Sequence, residues 1–304
     1  MTQAARCLAC HGPLEQSAIL TGRDLMHGVP GSYAVHQCST CGSGTTLPLA
    51  AAEDLAAYYP ASYAPHGVPR GLLARAMQRV QRARDRRFPL LALRSGRRPG
   101  RLLDVGCGRG DLVASWIGAG WQALGIEPSP AAAAVARRRG AEVLVGTLAT
   151  VSLERESVDV AVFRHSLEHV LDPQADLRRV HAALRPGGKL AVIVPNWGSW
   201  QRRAFAECWF PLELPRHRTH FTAAGLRAAL EKSGYSDVDV RPATPLTTTV
   251  WSLQLRLFGR CLTGAGSSVI AGYAASIPVA GIVHAIDRVR GDGDFIHAAA
   301  TKPG

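Results

Sequence analysis

Three glycines at alternate positions, Gly106, Gly108 and Gly110, follow the apolar run Leu102-Leu103-Asp104-Val105 and lead into a segment of helical pattern. Without a Cβ the backbone can turn sharply off a strand end and approach a ligand closely. The spacing discriminates between ligands. A dinucleotide fingerprint, G-x-G-x-x-G, would place glycine where Asp111 stands and bring a pyrophosphate onto the helix N-terminus. Here the pattern is G-x-G-x-G, Asp104 lies two residues ahead of it, and an acidic first turn repels phosphate while suiting a cation. S-adenosylmethionine (SAM) fits, having a sulfonium, an ammonium and no phosphate. The short apolar run Ala123-Leu124-Gly125-Ile126 ends in Glu127, 17 residues past Gly110. That is close to the roughly 20-residue offset at which an acid on the second strand tip accepts both ribose hydroxyls.

A second constellation is Cys7-Leu8-Ala9-Cys10 with Cys38-Ser39-Thr40-Cys41. Two C-x-x-C knuckles supply four soft thiolates at chelate spacing, the arrangement of a structural zinc ribbon. Four thiolates leave no open position, so Zn2+ here is expected to be structural. The 27-residue gap exceeds the usual ~15–20 residues, which implies a long intervening loop. The competing reading is two disulfides. Against it, Cys107, Cys208 and Cys261 are scattered singly and no signal peptide precedes the knuckles, which points to a reducing, cytoplasmic setting. His11 and His36 flank the knuckles as less favoured alternative ligands.

These groups need elements to hold them. A helical run spans Pro130 to Arg139, a third strand is expected at Glu142–Val145 and a fourth at Val158–Phe163, ending at Arg164-His165. Leu177, Val180 and Leu184 then recur at helical spacing, Gly187-Gly188 is expected to close that helix, and Leu190–Val194 reads as a buried parallel strand. Successive β-α alternations imply a doubly wound α/β sheet. Asp237–Thr244 and Asp294–Lys302 read as two further strands.

Leu103–Gly110, Gly125–Glu127, Ser166–Pro173 and Leu184–Gly188 resemble, in order, the motifs of class I SAM-dependent methyltransferases, and more narrowly the branch of ubiquinone-biosynthesis and sugar methylases. The resemblance covers about residues 100–244. It implies a Rossmann-like seven-stranded sheet, a methyltransferase domain over 100–304 and a small zinc-ribbon-like module over 1–50, which some members of that branch carry. It also implies SAM contacts from Asp104, Gly106, Gly108, Gly110 and Glu127, with Arg164 and His165 facing the methionyl group. Many members place an aspartate for the adenine amine after the third strand; this chain has Gly146-Thr147-Leu148, so Thr147 and Leu148 are expected to offer backbone contacts instead.

On the acceptor side His169 is the first candidate general base, because a histidine at this place lies near the substrate in related sugar methylases. The second is His217, in Leu214–Phe221, a segment expected to fold over the active site. Glu168 is expected to orient neighbours or to cap a helix end.

Composition bounds the partners. The 304 residues are 47% hydrophobic, enough for a full core, and carry a net charge of +12. Between Arg70 and Arg101 lie eleven arginines against the single acid Asp85, within the linker and basic amphipathic helix expected over 51–99. This helix is read as a solvated cover over the cofactor mouth, with contact at a membrane surface or with RNA as alternatives. Phe88 is the single aromatic among these arginines, too few for a base-stacking surface, so nucleic acid is the less favoured partner. An apolar insert over 245–291 includes Val269–Ile286, broken by Gly272, Pro278 and Gly281. A membrane span there would put the last strand on the wrong side of the bilayer; a buried helical lid or an interfacial patch remain. The favoured reading is SN2 methyl transfer to oxygen or carbon of a small-molecule, sugar or lipid-linked acceptor. RNA base methylation and a non-catalytic SAM- and zinc-binding module are the alternatives.

Overall fold

The computed structural model describes residues 5–49, 58, 99–262 and 267–304. The basic segment after Arg70, and almost all of the expected linker, lie outside these residues. Strand β1 (Leu14–Gly22), β2 (Tyr33–Cys38) and β3 (Gly44–Leu47) form an N-terminal meander. There follow β4 (Arg101–Val105), α1 (Asp111–Ile117), β5 (Gln122–Glu127), α2 (Pro130–Arg138), β6 (Glu142–Val145), β7 (Val158–Arg164), α3 (Pro173–Ala183) and β8 (Leu184–Pro195). Then come α4 (Trp200–Phe205), β9 (Thr219–His220), α5 (Ala223–Lys232), β10 (Ser236–Ala243), α6 (Leu246–Phe258), α7 (Ser267–Arg290) and β11 (Phe295–Thr301).

The main sheet has seven strands in the order β10-β11-β8-β7-β4-β5-β6, with β11 antiparallel to both neighbours and the other pairings around β4, β5, β6, β7 and β8 parallel. Its central strands are apolar on both faces, as a covered parallel sheet requires. Alternation distributes them. Leu103, Val105, Ala161 and Phe163 pack with Leu177, Val180, Leu226 and Leu230 on one face, whereas Leu102, Val160 and Val162 pack with Val113, Trp116 and Ala136 on the other. Each large side chain so buried contributes about 1.5–3 kcal/mol. Strand order reverses between β4 and β7, and in such sheets ligands bind in the crevice at the carboxyl ends flanking the reversal.

Local chemistry fixes the helix starts. Ser129 accepts from Ala132 N (3.3 Å) ahead of Pro130, and Asp172 accepts from Ala175 N (2.9 Å) ahead of Pro173. Helix α1 instead begins at Gly110, left-handed at φ 76°, with no side-chain cap, so its first N–H groups face the crevice.

One expectation is corrected. Gly187-Gly188 does not close a helix: α3 stops at Ala183, and Arg185–Gly188 form an irregularity within β8, across which the β7 register passes from Val158↔Leu184 to Val160↔Lys189. The antiparallel neighbour explains it, because Gly187 N donates to Lys302 O and Lys302 N to Gly188 O, both 2.9 Å, so strand pairing extends through the turn. The insert is covered on one side: Val250, Leu255, Ala280 and Val283 are buried. Along α7, Ile277, Val279, Ile282, Ile286 and Val289 are exposed, the last by 89%. No helix among the described residues is long and apolar enough to cross a membrane.

The N-terminal strands are built into the rest of the chain. Strand β9 pairs with β3 to complete a four-stranded sheet, β1-β2-β3-β9. Cys7, Cys10 and Cys38 share a core cluster with the main sheet, Gln174 Nε2 donates to Ala9 O (2.9 Å), and the α5 cap Thr222 donates to Cys41 O (2.7 Å).

Candidate active site

The glycine loop runs from the tip of β4 to α1, with φ of 75°, 54° and 76° at Gly106, Gly108 and Gly110. Each glycine answers a different demand. A Cβ on Gly106 would stand 2.6 Å from Ser166 Cβ and one on Gly110 2.8 Å from Ala136 Cβ, whereas at Gly108 nothing lies within 4 Å. Gly106 and Gly110 are therefore required by packing, and Gly108 faces the open crevice. Glu127, at the tip of β5, sets the loop: its Oε2 accepts from Gly108 N and its Oε1 from Ser129 N, both 2.8 Å. A carboxylate oxygen has a second lone pair, so the same group can accept from a ligand.

Asp104 is 2% exposed, and burial pushes its carboxyl up to about 6, opposed by Arg164 and reinforced by Glu127. Two buried carboxylates beside an open backbone cradle favour a cationic ligand over a phosphate, and this fits SAM. Gly146 N donates to Glu127 O (3.1 Å), which places Thr147 and Leu148 beside the same edge. The N–H of Thr147 is engaged by Thr150 Oγ1 (2.9 Å) and the Leu148 side chain is buried, so Thr147 offers an adenine no N–H.

At the reversal, Arg164 ends β7, and His165 follows at φ 55° with its ring 4.8 Å from that of Phe295. Ser166 packs on Gly106 and donates to Val105 O (2.6 Å). This single residue ties the glycine loop to Glu168 and His169, whose N–H donates back to Ser166 O (3.2 Å).

The structure brings His169 and His217 together with rings 4.6 Å apart. Nδ1 of His169 bonds Arg216 O (3.1 Å) and Nδ1 of His217 bonds Pro211 O (2.8 Å). A carbonyl only accepts, so both Nδ1 atoms carry the proton and both Nε2 atoms the lone pair. Burial, then the neighbouring His217, pushes His169 down to about 4; burial, then His220, holds His217 well below the usual imidazole range. Both rings are neutral at pH 7. Glu168 is only 1% exposed, with Oε1 3.9 Å from His217 Nε2 and 3.8 Å from His165 Nδ1. Burial pushes its carboxyl up to about 7.

This corner is braced from a distance. Arg216 makes a fully buried bidentate pair with Asp24, at 2.8 and 2.9 Å, and Thr46 Oγ1 donates to His217 O (2.7 Å). The backbone carbonyl of Glu168 accepts from Arg218 N (2.9 Å) and Thr219 N (3.1 Å). Sequence reasoning passed over Asp24, which carries no local signal. Arg216 stands within the Leu214–Phe221 segment, and its position beside His217 could have marked it.

The cysteines converge. Cys7 and Cys41 Sγ lie 3.7 Å apart, Cys10 and Cys38 Sγ 3.5 Å, and all four within 4.8 Å of one another, as free thiols. Zn–S bonds of about 2.3 Å make a tetrahedron with edges of about 3.8 Å, so the group fits a tetrahedral ion. Gly12 N and Thr40 N donate to Cys10 and Cys38 Sγ, both at 3.4 Å, which favours thiolate. The hydrogen bond between Cys7 and Cys41 pushes the Cys41 thiol down to about 4 and Cys7 upward.

Comparison with known proteins agrees with this geometry. A family profile described as "Methyltransferase domain" matches residues 73–240. A 37.1 kDa protein of transposon TN4556 from Streptomyces fradiae is 39% identical over 111 residues, covering 34% of this chain and 32% of that protein. A ubiquinone biosynthesis O-methyltransferase of Methylobacterium nodulans is 29% identical over 153 residues, covering 45% of this chain and 60% of the relative. The chain thus spans from about a third to three fifths of the length of these relatives. Among solved structures, a chain from the complex of the Haloferax volcanii Trm112 methyltransferase activator with a methyltransferase superposes with a TM-score of 0.52 at 16% identity, covering 75% of this chain and 95% of that one. A SAM-dependent methyltransferase from Archaeoglobus fulgidus gives 0.50 at 18% identity, covering 74% and 94%. The glycine cradle at the strand reversal, the seven-stranded sheet with its antiparallel last strand and the profile match over more than half of the residues agree, and the chain belongs to the methyltransferase domain family, in its class I, SAM-dependent form.

Proposed function

We propose that this chain transfers a methyl group from SAM to an oxygen or carbon of a small-molecule, sugar or lipid-linked acceptor. The observation that carries the reading is the junction at Ser166, which packs on Gly106 of the cradle and whose carbonyl accepts from His169 N. SAM, when bound, supplies an electrophilic methyl on a good leaving group. The protein's part is to bind and align. Asp104 offsets cationic charge, Glu127 accepts from the ribose, the backbone of Gly106, Gly108 and Gly110 lies against the methionyl end, and Arg164 and His165 close that end. His169 and His217 meet the acceptor. Alignment supplies most of the rate for such a displacement: the acceptor atom forms its bond to the methyl carbon as the carbon–sulfur bond breaks, and the acceptor proton leaves to solvent or to the histidine corner. Names among the relatives, ubiquinone biosynthesis O-methyltransferases, support a hydroxyl acceptor.

We further propose that Cys7, Cys10, Cys38 and Cys41 hold a structural zinc ion. Their Sγ distances support it, and four thiolates leave no position open for substrate.

Methyl-labelled SAM incubated with total RNA, a lipid extract and polar metabolites tests the reading. Label is expected in the lipid or metabolite fraction. Label in RNA, or in none of the three, would contradict it.

A further inference from the structure

We infer that Glu168, His169 and His217 form a second metal site, distinct from the cysteine cluster and suited to a divalent transition-metal cation. The ligating atoms of the three lie within 4.8 Å of one another. The argument begins with Glu168. Its side chain is 99% buried, and neither carboxylate oxygen has a hydrogen-bond partner. Buried carboxylates are ordinarily paired, and an orphaned one costs several kcal/mol. Something absent from the protein itself should satisfy it.

What faces Glu168 identifies that partner. Nδ1 of both histidines is tied to a main-chain carbonyl, which leaves lone pairs on Nε2, and the Nε2 of His217 looks toward Glu168 Oε1 at 3.9 Å. That distance is too long for a hydrogen bond. With metal–ligand bonds of about 2.1 Å, pairs of ligands stand about 3.4 Å apart at a tetrahedral angle and about 4.2 Å when trans, so 3.9 Å falls within the range that a shared ion sets. A metal-ligating histidine commonly donates its other N–H to a backbone carbonyl, which fixes the tautomer and raises the basicity of the ligand. Both histidines have that support here. Two imidazoles and one carboxylate suit zinc, iron(II) or cobalt(II) and leave open coordination positions.

The site deepens the proposed function. His169 and His217 would act on an acceptor oxygen through the cation rather than as bases. Only this use rests on the acceptor reading; the binding site itself does not.

The test is equilibrium dialysis of protein carrying one zinc per chain, held by the four cysteines, against cobalt(II), read by metal content and visible spectrum, with neither SAM nor acceptor present. Thiolate ligation adds sulfur-to-cobalt charge-transfer absorption, and ligation by nitrogen and oxygen gives d–d bands alone. One cobalt per chain with d–d bands alone is expected in the wild type. At least tenfold weaker binding is expected in Glu168→Gln and in His217→Ala, with zinc content unchanged and SAM affinity within a few fold as the check that each variant is folded. Absence of such a cobalt in the wild type, or equal binding in both variants, overturns the site. Because no methyl transfer is measured, a failure here is distinguishable from a failure of the acceptor reading.

Discussion

The donor and acceptor sides of the crevice are built by different means. Every proposed SAM contact from Asp104 to Glu127 comes from two adjacent parallel strand tips and the loop between them, held by main-chain bonds such as Gly106 N and Cys107 N to Ile126 O, at 2.8 and 3.0 Å. The proposed acceptor corner draws Glu168 and His169 from the loop after β7, and His217 from a segment some fifty residues later. It is fixed by Asp24 and Thr46 of the N-terminal sheet. A side chain's backbone neighbours therefore suffice for the donor site, whereas the acceptor site depends on a module with no residue in the donor cradle.

The largest expected effect follows from that dependence. Structural zinc contributes folding free energy outright, about 10–16 kcal/mol of apparent binding in small zinc domains. With the proposed zinc site, Cys41→Ser should abolish zinc binding, read by metal analysis, and should loosen β3 and β9, because Thr222 donates to Cys41 O and β3 pairs with Thr219–His220. Turnover should fall much further than SAM affinity. Equal losses of both would mean that the module supports the whole domain, and the contrast would fail.

Next in size, His217→Ala should lower turnover by roughly 10²–10⁴ while SAM affinity stays within a few fold. Near-normal turnover on the identified acceptor would remove His217 from the chemistry.

Breaking the buried pair should be felt as stability. Arg216→Ala leaves Asp24 uncompensated and should cost about 3–5 kcal/mol in denaturant unfolding. The same pair predicts an acid limb. Burial alone would raise the Asp24 carboxyl, but the Arg216 guanidinium and the Met26 and His27 N–H groups bring it down to about 2. A folded-state value below the unfolded one, about 3.9, means that the stabilisation is present above pH ~4 and lost as pH falls toward 2. About 2–3 kcal/mol should be lost across that window, and Asp24→Asn should flatten it. An unaltered acid limb in Asp24→Asn would assign acid sensitivity elsewhere.

The same contrast explains what was legible in the sequence. Glycines at 106, 108 and 110 and an acid at 127 are read directly, since a strand-loop-helix unit writes its requirements into neighbouring positions. The four cysteines are equally legible because chelation needs fixed spacing. His169 and His217 were recognisable as candidates, but their contact, the orphaned Glu168 and the Asp24–Arg216 pair were not, because long-range packing sets them and no periodicity records it. Helix α7 shows the same limit: an uncharged stretch does not reveal which of its faces is covered, and the structure leaves Ile282 64% exposed. The turn at Gly187-Gly188 was misplaced for a related reason, since its course follows Lys302 on a strand far along the chain.

The most direct test of the central claim is calorimetric titration of SAM into the wild type and Glu127→Ala. The account predicts one site per chain in the wild type. In the folded variant, loss of charge-assisted bonds worth about 1.5–3 kcal/mol should weaken affinity at least tenfold. Unchanged affinity in a folded Glu127→Ala protein, or no SAM binding by the wild type, would contradict it.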